Sequence, residues 1–272
     1  MPRSSSDSPS HDSVFELIGD WSGQLVTTAI HTGHDLRSAV ADAMVLDEQT
    51  RFREEDPFTD RIGERMPARV IVHRSRFEID LNRSREEAVY RTPEDCWDLE
   101  VWRENPLDEK LVEGSLELYD DFYSKLAARL DEVAARGPFV LYDVHSYNHR
   151  RDGAEGDPSP QEDNPDVNVG TGSLDRDRFG PVVDAFMTSL GQVETSTGQM
   201  DVRENVRFKG ANLARWTHER YPGVGCALAL EFKKTFMDEW TGVPDEARLD
   251  ELAAALEKTA APVLEALKQI RG

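Results

Sequence analysis

An α/β fold is predicted by short apolar runs that alternate with stretches of helical periodicity, and by a length of 272 residues, which one domain can fill with a sizeable core. The runs are rich in β-formers and bounded by polar or turn residues. They cover residues 25–30, 68–73 with 77–81 close behind, 139–144 launched by Gly137-Pro138, and 225–232. Between them, residues 116–135 carry Leu116, Tyr119, Tyr123, Leu126, Leu130 and Val133 at helical spacing. Residues 178–190 read as a second helix. Residues 204–220 read as a third, weakened by Gly210. Residues 244–270 form a long amphipathic helix that Pro262 should kink or split. Strands alternating with helices imply a sheet covered on both faces. Residues 150–172, rich in Gly, Pro, Asp and Asn, read as one long loop. The organisation expected is a disordered Ser-rich tail over residues 1–13 and a single domain over 14–272.

Composition narrows the function. The formal net charge of -21 repels phosphate backbones and anionic lipid, so neither nucleic acid nor a membrane surface is an expected partner. No run approaches the roughly 20 apolar residues of a membrane span, and the start of the chain does not resemble a signal peptide. Cys96 and Cys226 lie far apart and form no paired motif, which suits reduced thiols in a cytoplasmic protein.

Three of the apolar runs end in side chains able to bind metal or move protons. Residues 25–30 lead into His31-Thr32-Gly33-His34, residues 139–144 into His145-Ser146, and the last run into Glu231. In open α/β sheets ligands bind beyond the carboxyl ends of strands, so His31, His145 and Glu231 can converge although distant in sequence. Two or three imidazoles with an open position describe a catalytic zinc rather than a structural one. His34 is one candidate for the third ligand and Asp60 competes with it. Glu231 ends an otherwise apolar run, where a carboxylate is costly unless used or paired. It reads either as a general base or as the partner of Lys233, Lys234 or an arginine. The arginines of residues 74–83 offer forked donors suited to a carboxylate, and read as a pocket for an acidic small molecule or as a solvated charged loop.

In these segments the chain resembles the N-formylglutamate amidohydrolase family. Ile30-His31-Thr32-Gly33 is similar to its Pro-His-Ser-Gly motif. Residues 76–83 are similar to its Arg-x-x-x-Asp-Leu-Asn-Arg signature, and Asp143-Val144-His145-Ser146 to its Asp-Cys-His-Ser. Val169-Gly170-Thr171, Arg207-Phe208-Lys209-Gly210 and the closing Leu230-Glu231 through Met237-Asp238-Glu239 follow in the family's order. The resemblance implies a three-layer α/β/α fold with a mixed central sheet, related to zinc carboxypeptidases and aspartoacylases. It implies one zinc ion on His31 and His145, with His34 at the third-ligand position. It gives Glu231 and Arg76 as catalytic residues, Asn82 and Arg83 as the grip on the substrate carboxylate, and Arg207 on a second carboxylate. The activity implied is hydrolysis of a small acidic N-acyl amino acid, N-formylglutamate first, by a monomer or homodimer. The alternatives are a deacylase or carboxypeptidase of different specificity, and a non-catalytic binder of an acidic metabolite.

Overall fold

The computed structural model describes residues 13–270. The strands are β1 (Phe15–Gly19), β2 (Leu25–Ala29), β3 (Ala68–Val72), β4 (Phe139–Tyr147), β5 (Val167–Gly170), β6 (Glu194–Thr195), β7 (Gly198–Gln199), β8 (Val202–Glu204) and β9 (Gly225–Lys233). The helices are α1 (Ser38–Ala43), α2 (Glu48–Glu54), α3 (Thr59–Ile62), α4 (Glu109–Ala134), α5 (Arg176–Gly191), α6 (Asn212–Arg220) and α7 (Glu246–Lys268). Seven strands form a mixed sheet in the order β1-β3-β2-β4-β9-β5-β8, while β6 and β7 pair separately. The central strands β3, β2, β4 and β9 are parallel. β1 is antiparallel to β3 at one edge, β5 is antiparallel to β9, and β8 runs parallel to β5 at the other edge.

Helices cover both faces, because β4 is buried along its whole length and β9 everywhere but at the partly buried Glu231, so both need apolar partners on each side. Val140, Tyr142 and Val144 of β4 pack with Leu228 and Leu230 of β9 against α5 and α7. Phe139 and Leu141 pack with Ala227 on the opposite face, against α4 and α6. Side chains alternate along a strand, so on that second face β4 continues as Asp143 and His145, and β9 as Ala229 and Glu231. The face thus changes from apolar to polar toward the carboxyl ends. The parallel register sets His145 directly beside Glu231.

The α/β class and the three layers are as expected from the sequence; several elements differ. Residues 77–81 are buried but form a turn rather than a strand. The N–H groups of Glu78 and Ile79 donate to the Ser75 carbonyl, and that of Asp80 donates to the Ala88 carbonyl, so none pairs with a neighbouring strand. Helix α6 starts only at Asn212, because Gly210 holds φ +89°, and Glu204 belongs to β8. The long loop ends early: residues 167–170 are β5. Gly170 is required there, since a Cβ would sit 2.4 Å from the Gly210 nitrogen on the turn leading to α6. Pro262 does not split α7. It lies on the exposed face, where its ring meets no packed neighbour layer and only the hydrogen bond to the Lys258 carbonyl is forgone. Strand β1 and the short helices α1 to α3 were not anticipated. The expected tail lies outside the described residues except for Ser13, whose hydroxyl donates to the Phe15 carbonyl at 2.7 Å.

Candidate active site

Beyond β2 the chain turns at His31-Thr32-Gly33 and crosses the end of β3. A Cβ on Gly33 would lie 2.1 Å from the His73 carbonyl carbon, so only glycine permits this crossing, which the Asp35 N–H secures by donating to the His73 carbonyl at 2.9 Å. The turn leaves His31 buried at the sheet end and His34 against α2. There His34 Nδ1 lies 2.5 Å from Glu55 Oε2, and Nε2 lies 2.7 Å from Arg51.

His31 and His145 meet, their ring centroids 4.9 Å apart, and the third member of the group is Asp56. One nitrogen or oxygen from each of the three lies within 4.8 Å of the others, and all three residues are buried. Asp56 follows the end of α2. Its N–H donates to the His31 carbonyl at 3.0 Å, and its Oδ1 accepts from the Ser146 hydroxyl at 3.1 Å. Its Oδ2 lies 3.3 Å from His31 Nδ1 and 3.1 Å from His145 Nδ1. The far nitrogens face buried carboxylates: His31 Nε2 lies 2.7 Å from Asp80, and His145 Nε2 lies 3.0 Å from Asp143. Such outer carboxylates orient metal-binding imidazoles and leave the inner nitrogens for the ion. Burial disfavours a charged Asp56, but the hydrogen bonds and charge of His145 and His31 hold its carboxyl far below the usual range.

A cation fits here. Three buried carboxylates surround two imidazoles, and His31 Nδ1 is buried with no hydrogen-bond partner among the described residues. The donor set of two nitrogens and one carboxylate oxygen matches catalytic zinc sites.

This group lines a cavity of about 510 Å³, within the usual range of small-molecule sites. Glu231 and Arg76 line it with them. Burial pushes the Glu231 carboxyl up to about 7, with His145 and Arg76 opposing the rise and Asp56 and Asp143 adding to it. Neither adjacent lysine neutralises Glu231. Lys233 Nζ lies 3.0 Å from Asp166, and Lys234 Nζ donates to the carbonyls of Arg53 and Glu55, each at 2.6 Å. The turn over residues 76–83 is organised by Asp80. One oxygen faces His31 and accepts from the Asn82 N–H at 2.9 Å. The other accepts from Arg76 at 2.7 Å and from the Tyr90 hydroxyl. Burial works against its charge, but Arg76 and His31 outweigh this and keep its carboxyl well below the usual range. Arg83 lies 3.7 Å from Asp80 and 4.7 Å above the Tyr90 ring. Asn82 Nδ2 lies 3.2 Å from His145 Nε2, and its Oδ1 accepts from the Leu213 N–H at the start of α6.

Six of the nine candidate residues marked in the sequence therefore line one cavity: His31, Arg76, Asn82, Arg83, His145 and Glu231. His34 does not join the histidine pair, because the Gly33 crossing directs it to Glu55. Asp60 accepts from the Thr32 hydroxyl at 2.8 Å and is also outside the group. Arg207 is exposed, donates to Asn164 at 2.7 Å and does not line the cavity. Sequence reasoning missed Asp56, Asp80, Asp143 and the cavity-lining Arg151. Asp80 and Asp143 stand inside motifs already noticed, and that was the available signal.

The N-formylglutamate amidohydrolase family model matches residues 23–237. No curated protein matches the sequence. Among solved structures, the N-formylglutamate amidohydrolase from Ralstonia eutropha JMP134 superposes with a TM-score of 0.65 at 17% identity, covering 94% of this chain and 98% of that one. A gene product from Agrobacterium tumefaciens gives 0.64 at 16% identity, covering 94% and 96%. At these identities the two structures speak for the fold, and the family match speaks for kinship. The chain belongs to the N-formylglutamate amidohydrolase family and is a hydrolase.

Proposed function

We propose that the chain is a zinc-dependent amidohydrolase that cleaves N-formylglutamate to formate and glutamate. The observation that carries the reading is Glu231, a carboxylate without a neutralising lysine, set by strand register beside His145 and facing the cavity shared with His31 and Asp56. His31, Asp56 and His145 would hold the ion. When bound, zinc supplies a Lewis acid and makes water acidic enough to attack near neutral pH.

The chain's own residues divide the remaining work. The Glu231 carboxylate takes a proton from the attacking water and passes it to the leaving amine; a base whose pKa lies near the working pH serves both steps. Arg76 presents a charged donor to the oxygen that gains negative charge as the carbonyl is attacked. It is kept cationic: burial opposes the charge, and Asp80 more than restores it. Arg83, with the Asn82 amide, fixes the amino-acid carboxylate and so orients the acyl carbon. Family membership supports a small N-acyl amino acid as substrate. The free buried thiols Cys96 and Cys226 support a cytoplasmic setting. No helix among the described residues is long and apolar enough to cross a membrane.

Replacing Glu231 with Gln removes the base and keeps its size. The expected result is a fall in kcat of about 10²–10⁴-fold with zinc content unchanged. Formate release and metal analysis on the same preparation check this. Near-normal turnover by E231Q would dismiss Glu231 as the base.

A further inference from the structure

An acidic N-acyl amino acid carries two carboxylates, and the proposed function leaves the second without a partner. Among the described residues, four cationic side chains other than histidine line the cavity: Arg76, Arg83, Arg151 and Lys234. Three are engaged. Arg76 is bound to Asp80, Arg83 sits between Asp80 and the Tyr90 ring, and the Lys234 ammonium is buried on two backbone carbonyls. Arg151 has no hydrogen-bond or ion-pair partner among the described residues.

The backbone that presents Arg151 is clamped. Glu239 is buried, and its Oε1 accepts from the His149 N–H at 2.7 Å. Both of its oxygens also lie 3.2 Å from the Arg150 nitrogen as acceptors. The Arg150 carbonyl in turn accepts from Trp240 Nε1 at 3.2 Å and from Arg53 at 3.3 Å, and the Arg53 guanidinium stacks 3.8 Å from the Trp240 ring. The chain leaving β4 is thus held on its N–H and carbonyl sides immediately before Arg151. An exposed arginine ordinarily loses much side-chain freedom when it grips a ligand, and a fixed backbone origin lowers that cost.

We infer that Arg151 is a specificity-determining residue that grips the side-chain carboxylate of the substrate, a role the sequence had suggested for Arg207. The inference rests on the N-acyl amino acid reading. A guanidinium meets a carboxylate with two parallel N–H donors, and an amide of the same shape cannot accept both. The site accordingly separates N-formylglutamate from N-formylglutamine.

The test compares kcat/KM for these two compounds in the zinc-loaded wild type, Arg151→Met and Arg207→Met, and measures glutarate binding by calorimetry in the wild type and Arg151→Met. The wild type is expected to prefer N-formylglutamate. Arg151→Met should lower that preference at least tenfold, chiefly through KM, and weaken glutarate binding about tenfold. No preference in the wild type, or a preference lost in Arg207→Met and kept in Arg151→Met, overturns the inference and leaves the amidohydrolase reading standing. If the wild type releases formate from neither compound, the proposed function fails, and glutarate binding alone decides: a tenfold weaker dissociation constant in Arg151→Met supports Arg151, and an equal one overturns it.

Discussion

The Asp80 carboxylate is fully buried and serves two neighbours: one oxygen orients His31, the other holds Arg76 and the Tyr90 hydroxyl. It thereby couples the proposed metal ligand to the group proposed to steady the scissile carbonyl. Asp80→Asn keeps the shape and removes the charge. Arg76 is then a partly buried cation without its counter-charge, a loss smaller than the roughly 3–5 kcal/mol that follows when one partner of a fully buried pair is removed. His31 loses its orienting carboxylate, and such changes weaken metal binding about 10–100-fold. Competition of the chelator-stripped protein with a colorimetric zinc indicator, alongside urea unfolding, measures both effects. Unaltered zinc affinity in the variant would deny Asp80 its orienting role. At this scale the sequence was legible where a strand delivers the side chain: His31, His145 and Glu231 end apolar runs, and strand periodicity gave their common face. It was illegible where a turn decides. His34 and Asp60 were as plausible as Asp56 by spacing, and the choice depends on Gly33 packing against β3 and on the Asp56 N–H reaching the His31 carbonyl.

Helix α6 and strand β9 meet at His218, whose Nε2 accepts from the Ala227 N–H at 3.0 Å while Nδ1 lies 2.8 Å from the Ser173 hydroxyl. Only the neutral ring can accept from that N–H. Burial lowers the pKa of His218 to about 4, against 6.5 for a free ring. Between these values the unfolded chain binds a proton that the native chain refuses, so stability rises with pH across the window and falls as pH drops from 6.5 toward 4. One full pKa unit is worth about 1.4 kcal/mol, and the partly exposed ring gives less than the full shift implies. His218→Gln keeps an acceptor for Ala227 and cannot titrate. Its urea midpoint should therefore fall less than that of the wild type between neutral and acid pH. Equal falls in the two proteins would show that His218 does not titrate as argued. The strands of the sheet centre were legible because burial on both faces leaves continuous apolar runs. β5 and β8 were not, since four and three residues carry too little pattern. The turn at residues 77–81 looked like a strand because its apolar residues are buried by the fold around it rather than by pairing.

Across the whole molecule, 53 acidic residues face 32 lysines and arginines, so even complete pairing leaves 21 carboxylates without a partner. Salt has two opposed effects on such a chain. It weakens surface ion pairs such as Arg85–Asp120 and Lys125–Asp121, each worth about 0–1 kcal/mol. It also screens the repulsion among the excess carboxylates, as the Debye length shrinks from about 30 Å at 0.01 M to about 8 Å at 0.15 M. The pairs act over a few ångströms, where screening is slight, while the repulsion acts across the surface, where it is nearly complete. Relief of repulsion therefore dominates. The metal-loaded protein should unfold at a higher temperature in 0.3 M potassium chloride than in 0.01 M, by roughly 2–4 °C for each kcal/mol gained in a chain of this size. Chloride is the appropriate salt, because sulfate would stabilise the protein by exclusion from its surface whatever its charge. A melting temperature that stays level or falls as potassium chloride is added would mean that local ion pairs, not the net charge, govern this surface.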